Sequence, residues 1–445
     1  MLVLRKTFWV ILGVFLFALL GGYLIPSGIF PVPASLQNQT TIRIFTRIAA
    51  ISGGAIVLGW LWAQFSLVGI VVRREARVLR HQVGQIFEER FRVINRLPVV
   101  RLWLEILDES ELPGASGSRV LSLMGPRQQR TYVAYTLLNQ RGAFRLGPTR
   151  ISSGDPLGIF RKVVEIPGTQ ELIVLPFVAN LHRFPSPLGQ FPGGKAILQK
   201  ATEVTPQAAG VREYLPGDAL RSIHWPTSAR KNRLMVKEFE QDPQADVWII
   251  LDAESRVHFS LSENVVPPRI DHIWLRKTEL AFNLPQDTFE YGVSAAGSIG
   301  AYYLKQGRSV GFICAGQAFV VLPAERGERQ LNKILETLAF LKPNGNLPLL
   351  AVVEAEATQI PRASTIVLVT PSIHPSMDLT IDTLLVRRMK PVLVHIDAHT
   401  FGANFSSEEF IDRVCLRNVP VLRIRNNEPL TEALEMKTPS YYRED

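Results

Sequence analysis

Residues 211–240 read VREYLPGDALRSIHWPTSARKNRLMVKEFE. Arg212, Arg221, Arg230, Lys231, Arg233 and Lys237 are threaded among Glu213, Asp218, Glu238 and Glu240, with Tyr214, Trp225 and Phe239 between them. Pro216 and Gly217 predict a turn, after which Asp218 caps a short helix through Ile223 or His224, Pro226 ends it, and LMVKEF alternates as a strand entering the following domain. The stretch therefore reads as a joint. Arginine forks bind carboxylates in pairs, so its charges can lock two domains together. Any arginine left unpaired is equally suited to an acidic partner segment or a phosphate-like anion. The candidate binding cluster is Arg212, Glu213, Tyr214, Gly217, Asp218, Arg221, His224, Trp225, Arg230, Lys237 and Glu238. A catalytic alternative takes His224 as a base beside Asp218 and Glu238, since imidazole titrates near neutrality. No serine or cysteine occupies a nucleophile context beside it, and a histidine next to tryptophan is more often packed than reactive.

Downstream of this joint, from Asp246, short apolar runs (VWIILD, SVGFICA, AFVVLP, TIVLVT, PVLVHID, VPVLRIR) alternate with amphipathic segments near 289–305, 327–341, 378–389 and 408–417. Apolar strands joined by helices need a mainly parallel sheet covered on both faces, so residues 246–436 are expected to form a doubly wound α/β domain. Any ligand crevice lies at the carboxyl ends of its strands, where Asp252, Thr370 and Asp397 fall. Residues 254–287 are an unusually long connection, expected as a surface excursion. Cys314 and Cys415 sit in apolar surroundings and read as buried free thiols. His395 and His399 have the spacing of metal ligands on a helix, but VLVHID reads as a strand, which removes that geometry.

Upstream, residues 75–184 alternate with period two in FRVINRL, VRLWLEIL and TYVAYTLL, punctuated by the turns LPGASGS and SGDPLG, which predicts an all-β, sandwich-like domain. Asp155 in the second turn reads as a turn cap. Residues 185–210, rich in Pro and Gly, read as a linker, and 437–445 as a polar tail. The first 74 residues are different. Thr7–Leu24 is uncharged and Ile48–Val72 is similarly apolar, each near the length of about 20 residues that crosses a bilayer. Two transmembrane helices in a hairpin follow, with Trp9, Tyr23, Trp60 and Trp62 as interfacial aromatics. The formal charge is +9, and residues 1–80 hold eight Arg and Lys against Glu75 alone. The basicity flanks the apolar segments and forms no stripe on a folded domain, so no nucleic acid is expected. Arg5, Lys6 and RREARVLR outweigh Arg43 and Arg47 in the connecting loop, which places both termini and the bulk of the chain in the cytoplasm. A cleaved leader ending at VPA before Ser35 is the alternative for the first span.

The density of R-E-Y-x-P-G-D, R-x-I-H-W, S-A-R and M-V-K-E-F-E in 211–240 resembles the signature of the domain-of-unknown-function 58 family, and RGAFRLGPTRISSGDPLGIFR upstream is similar to the segment those proteins carry before it. The resemblance implies a C-terminal domain like von Willebrand factor A. It also implies association with MoxR-type AAA+ ATPases and transglutaminase-like membrane proteins, and brings no family-wide enzymatic activity. The von Willebrand factor A metal site uses Asp-x-Ser-x-Ser; here the stretch is Asp252-Ala253-Glu254-Ser255-Arg256, with Thr370 as a further loop position. The altered ligands and the charge of Arg256 lead to the expectation that a divalent cation binds weakly or not at all. The expected function is that of a non-enzymatic, membrane-anchored adaptor. A hydrolase or nuclease at His224, Asp218 and Glu238, and a purely structural envelope scaffold, are the alternatives.

Overall fold

The computed structural model describes residues 2–27, 39–168, 170–185, 208–214, 223–239, 246–261 and 283–435. Gly217, Asp218, Arg221, most of the linker, the centre of the 254–287 connection and the polar tail lie outside them. The chain divides into two compact units. One comprises Met1–Ala179, Phe259–Ser298 and Lys333–Lys342; the other Asn180–His258, Ile299–Asn332 and Pro343–Asp445.

The first unit opens with strand β1 (Leu2–Leu4) and helices α1 (Lys6–Ser27) and α2 (Gln39–Phe65), both long and apolar enough to cross a membrane. The second span differs from the expected 48–72. Arg43 and Arg47 lie in the first turns of α2, not in a loop, and the helix stops at Phe65. Leu67 and Val72 are apolar for another reason, because they are buried in the core of the β domain. Gly69 makes the break at φ +76°, and a Cβ there would come within 2.7 Å of Leu97.

Then follow β2 (Ile70–Ala76), β3 (Arg80–Gln82), β4 (Ile86–Asn95), β5 (Arg101–Asp108), β6 (Arg119–Met124), β7 (Gln129–Leu137), β8 (Gly142–Leu146), β9 (Thr149–Gly154), β10 (Phe160–Ile166) and β11 (Gln170–Leu175). They form the sheets β1-β10-β9-β5-β6, β2-β4-β7 and β3-β11-β8. Val72, Phe91, Val93 and Ala134 from the second sheet share one core with Leu104, Ile106, Leu121 and Ile151 from the first, the arrangement of two sheets packed face to face. In β4 every second residue is buried, and two of these inward positions are polar, Glu89 and Asn95.

A buried polar group must find partners. Asn95 donates to the carbonyls of Val99 (2.7 Å) and Gly125 (2.9 Å) and accepts from the Leu97 amide (3.2 Å). Glu89 accepts from Arg74 Nε (2.7 Å), whose other nitrogens donate to Asp108 (3.0 Å) and Ser110 (2.8 Å). One guanidinium thus serves two carboxylates, and burial pushes the Glu89 carboxyl up to about 7.

Within the same unit, Arg141 donates to the carbonyls of Leu338 (2.9 Å) and Leu341 (2.7 Å), pairs with Glu290 and lies over the Phe289 ring.

The second unit carries β14 (Val247–Leu251), β15 (Val310–Ala315), β16 (Phe319–Glu325), β17 (Thr365–Thr370), β18 (Lys390–Ile396) and β19 (Val421–Ile424), ordered β16-β15-β14-β17-β18-β19. All neighbours are parallel except the edge strand β16. Helices α6 (Leu349–Glu356), α7 (Ser376–Val386) and α8 (Glu408–Leu416) bury Val352, Val353, Ile381, Leu384 and Val414 against Ile250, Ile313, Leu368 and Leu393. Helix α9 (Leu430–Leu434) also belongs to this unit, whereas α4 (Thr288–Lys305) and α5 (Glu328–Phe340) are divided between the two, the first unit holding α4 up to Ser298 and α5 from Lys333. Cys314 is buried on β15, but Cys415 is exposed on α8, contrary to expectation: it falls on the outward face of an amphipathic helix whose inward residues are Phe410 and Val414.

Two stability measurements test this packing. Arg141→Ala leaves the carboxylate of Glu290 and two carbonyls without their partner, and is expected to cost about 3–5 kcal/mol in denaturant unfolding of the full-length protein. Because the folded-state pKa of Glu89 is raised from 4.5, its favourable contribution is complete below pH 4.5 and lost as pH rises through about 7. Glu89→Gln is expected to remove about 3 kcal/mol of that pH dependence. An unchanged pH profile in this variant refutes the assignment.

Candidate functional site

Two constellations in the second unit hold the residues singled out above. The first is the charged stretch itself. Strand β12 (Ala208–Glu213) pairs antiparallel with β13 (Met235–Phe239), with Arg212 opposite Val236, Val211 opposite Lys237 and Gly210 opposite Glu238. This two-stranded sheet is separate from the six-stranded one, so β13 does not enter the α/β sheet. Between the strands lies α3 (Trp225–Lys231). Pro226 stands in its first turn and does not end it, because the missing proline N–H is one that the first turn leaves unbonded anyway. His224 caps the helix, with Nδ1 accepting from the Thr227 amide (3.3 Å) and 2.8 Å from its hydroxyl. Asn232, in the left-handed conformation at φ 49°, closes the other end.

Ser228 fastens the helix to the hairpin: its hydroxyl donates to the His224 carbonyl (3.0 Å) and accepts from the Met235 amide (2.8 Å). Ile223, Ser228, Met235 and Val236 are buried, and Tyr214 is half-buried. The opposite face is open. Trp225 is 66% exposed, Arg230 and Lys231 are exposed, and Glu213 pairs with Arg233 at the surface. His224 Nδ1 is engaged in the cap with Thr227, and Asp218 lies outside the described residues.

The second constellation is the crevice beyond the carboxyl ends of β14 and β17, where successive connections leave the sheet in opposite directions. Asp252 is buried there. Its Oδ2 accepts from the Thr370 hydroxyl (2.6 Å) and its Oδ1 from the Glu254 amide (3.1 Å). Thr370 Oγ1 accepts in turn from the Ser372 amide (2.9 Å), and His258 Nε2 lies 3.1 Å from the Asp252 carbonyl. Burial raises the Asp252 carboxyl to about 6 and depresses His258 to about 4. Gly345 meets Glu254 in a parallel bridge, and a Cβ on it would stand 2.0 Å from the Ala315 carbonyl.

One carboxylate and one hydroxyl converge at this point, while Arg256 is exposed. Calcium takes about six to eight oxygens. Among the described residues no group of three or more His, Cys, Asp or Glu side chains is placed to hold a metal. At the end of β18, Asp397 is closed off by Arg423, which donates from Nε (3.1 Å) and a terminal nitrogen (2.8 Å) and also reaches Glu408 (3.0 Å). His395 is buried on β18 against Phe410, and His399 lies in a separate 3-10 turn, Ala398–Phe401. The approach of His258 and Ser372 to the Asp252–Thr370 pair was not read from the sequence; the only signal is a polar cluster following an apolar strand. Burial pushes the Cys314 thiol well above its usual range, which leaves it unreactive.

Residues 210–266 match the family described as "Protein of unknown function DUF58". Over that segment the chain is similar to members of this family. It is also 27% identical over 203 residues to the "Uncharacterized protein YeaD" of Bacillus subtilis (strain 168), a match covering 45% of this chain and 43% of that protein. The aligned part thus spans less than half the length of this relative. Among solved structures, the CARDB domain of the PF1109 protein from Pyrococcus furiosus, in complex with di-metal ions, is similar over 24% of this chain and 91% of that one. Its identity is 15% and its TM-score 0.16, too low for a fold assignment.

If Asp252 is a buried structural acid, millimolar Mg²⁺ or Mn²⁺ leaves the melting temperature unchanged. With its folded pKa raised from 3.8, its favourable term is present at low pH and lost as pH rises through about 6. Asp252→Asn is therefore expected to match the wild type at pH 4 and exceed it by about 3 kcal/mol at pH 8. A metal-induced rise in melting temperature that Asp252→Asn abolishes is the contrary result.

Proposed function

We propose that this protein is a non-enzymatic, membrane-anchored adaptor that presents residues 211–240 to a protein partner. The observation that carries the reading is the orientation of α3. Its polar and small side chains tie it down through Ser228 and His224, while Trp225, Arg230 and Lys231 face solvent. Tryptophan and arginine are the residue types that anchor protein interfaces. An exposed tryptophan held on a rigid cap is preorganised for docking at little entropic cost.

Anchoring rests on α1 and α2. The strand before α1 pairs with β10 and the strand after α2 pairs with β4, so both flanks of the hairpin return to the same β domain and belong on one side of the bilayer. Arg5, Lys6, Arg73 and Arg74 at those flanks favour the cytoplasmic side. The order of the six-stranded sheet, with one antiparallel edge, supports a von Willebrand factor A-like domain. Family resemblance supplies the partner: a MoxR-type AAA+ ATPase, with transglutaminase-like membrane proteins as further associates, in assembly or maturation of complexes. This domain is proposed to work without a divalent cation, its Asp252 position being filled by hydrogen bonds.

Pull-down of a MoxR-type ATPase by the full-length protein in detergent, with and without ATP, tests the reading. Trp225→Ala and Arg230→Glu alter exposed side chains and leave the fold intact, and at least one is expected to reduce capture about tenfold, a loss of about 1.4 kcal/mol. Undiminished capture by both overturns the assigned surface. Hydrolytic turnover by the purified protein, abolished by His224→Ala, overturns the adaptor reading in favour of an enzyme.

A further inference from the structure

Where α2 meets the β domain, the first unit contains a cavity of about 270 Å³, lined by Leu58, Leu61, Trp62 and Phe65 of the helix and by Val99, Val100 and Arg101 of the domain. The helix residues are among its exposed apolar side chains, and Val99 and Val100 continue that surface onto the sandwich. The loop bearing them is held in place, because Asn95 donates to the Val99 carbonyl and the Arg127 amide donates to Leu97 (3.0 Å). Two apolar side chains are thus displayed on a rigid support and left uncovered.

The polar lining is nearly spent. Ser66 Oγ donates to the Ala63 carbonyl (2.8 Å) and Ser153 Oγ to the Trp103 carbonyl (2.7 Å). Arg101 gives its two terminal nitrogens to the carbonyls of Phe65 (2.8 Å) and Val68 (2.6 Å). Its Nε, buried, has no partner among the described residues.

We propose that this cavity seats one acyl chain of a bilayer phospholipid, with an ester or phosphate oxygen of that lipid accepting from Arg101 Nε. The occupant follows from position. From Ile48, after the last arginine of α2, to Phe65 the helix rises about 27 Å, close to the hydrocarbon thickness of about 30 Å. Phe65 and the cavity therefore stand at the boundary between hydrocarbon and headgroups, where Trp60 and Trp62 are at home. The apolar surface of Val99 and Val100 is continuous with the part of α2 that lipid already covers. The volume lies just below the roughly 300–1,000 Å³ of sites for drug-sized molecules, which suits a single chain segment.

The inference rests on the membrane-anchor reading, and the test separates the two. Full-length protein in vesicles of phosphatidylethanolamine and phosphatidylglycerol, doped with phospholipid carrying a diazirine on its acyl chain, is irradiated and the adducts are mapped by mass spectrometry. Adducts are expected on outward residues of α1 such as Phe17 and Leu20, and also on Val99, Val100 or Leu102. Leu61→Trp, which fills the cavity, and Val100→Glu, which charges its exposed rim, are each expected to reduce the 99–102 adducts about tenfold while leaving those on α1 unchanged. Labelling of α1 without labelling of 99–102, or 99–102 adducts insensitive to both variants, overturns the lipid seat alone. Absence of adducts on both helices overturns the anchor reading with it.

Discussion

Helix α2 reaches its end with carbonyl groups that have no further turn to bond them. Those of Ala63, Gln64 and Phe65 are met by side chains from beyond the helix. Ser66 serves Ala63, Lys162 serves Gln64 (2.8 Å), and the Arg101 guanidinium spans Phe65 and Val68. Two of these donors are cations at the negative end of a helix dipole. Only with that end secured can the chain turn through Gly69 and enter β2, and β2 then sets the register of β4 and β7. Arg101 opens β5 as well, so one side chain fixes where the helix stops and where the first sheet starts.

The same economy of donors recurs inside the sandwich. Arg74 is shared between Glu89 and Asp108, and the ring of Phe91 beneath it stacks on Tyr132 at 5.1 Å. Replacing such a group by an apolar residue is often neutral or stabilising, whereas removing one partner leaves a buried charge alone. The arrangement therefore holds β2 and β4 in register and ties β5 of the facing sheet to them more than it adds to stability, because a slip by one residue would put Glu89 outside and leave Arg74 unmatched.

What was legible beforehand follows from which physical signals are local. The alternation in FRVINRL and TYVAYTLL and the apolar runs VWIILD, TIVLVT and PVLVHID are set by the faces that strands bury, and they occur as strands. The run 48–72 was misread because hydrocarbon and protein core select the same residues; Leu67 and Val72 are greasy for the second reason, and Gly69 alone marks the change of solvent. Pro226 was read as a stop when its position in the first turn makes it a start, a distinction that depends on where the helix is capped. The short α6, apolar nearly throughout in LLAVVEAE, carries no amphipathic period to reveal it. Pairings across long separations, such as Arg141 with Glu290 or Thr370 with Asp252, have no local signal at all.

The two ends of the α1–α2 hairpin are held by different sheets of one sandwich, β1 in the sheet of β10 and β2 in the sheet of β4. A load on either helix is therefore borne by backbone ladders in both layers and by the core they enclose. Phe8 and Ile11 of α1 and Ile56 of α2 pack with Ile159 and Phe160, so the helices are joined to the domain by side chains as well as by backbone. A hairpin mounted this way does not swivel on a linker: it and the sandwich form one body.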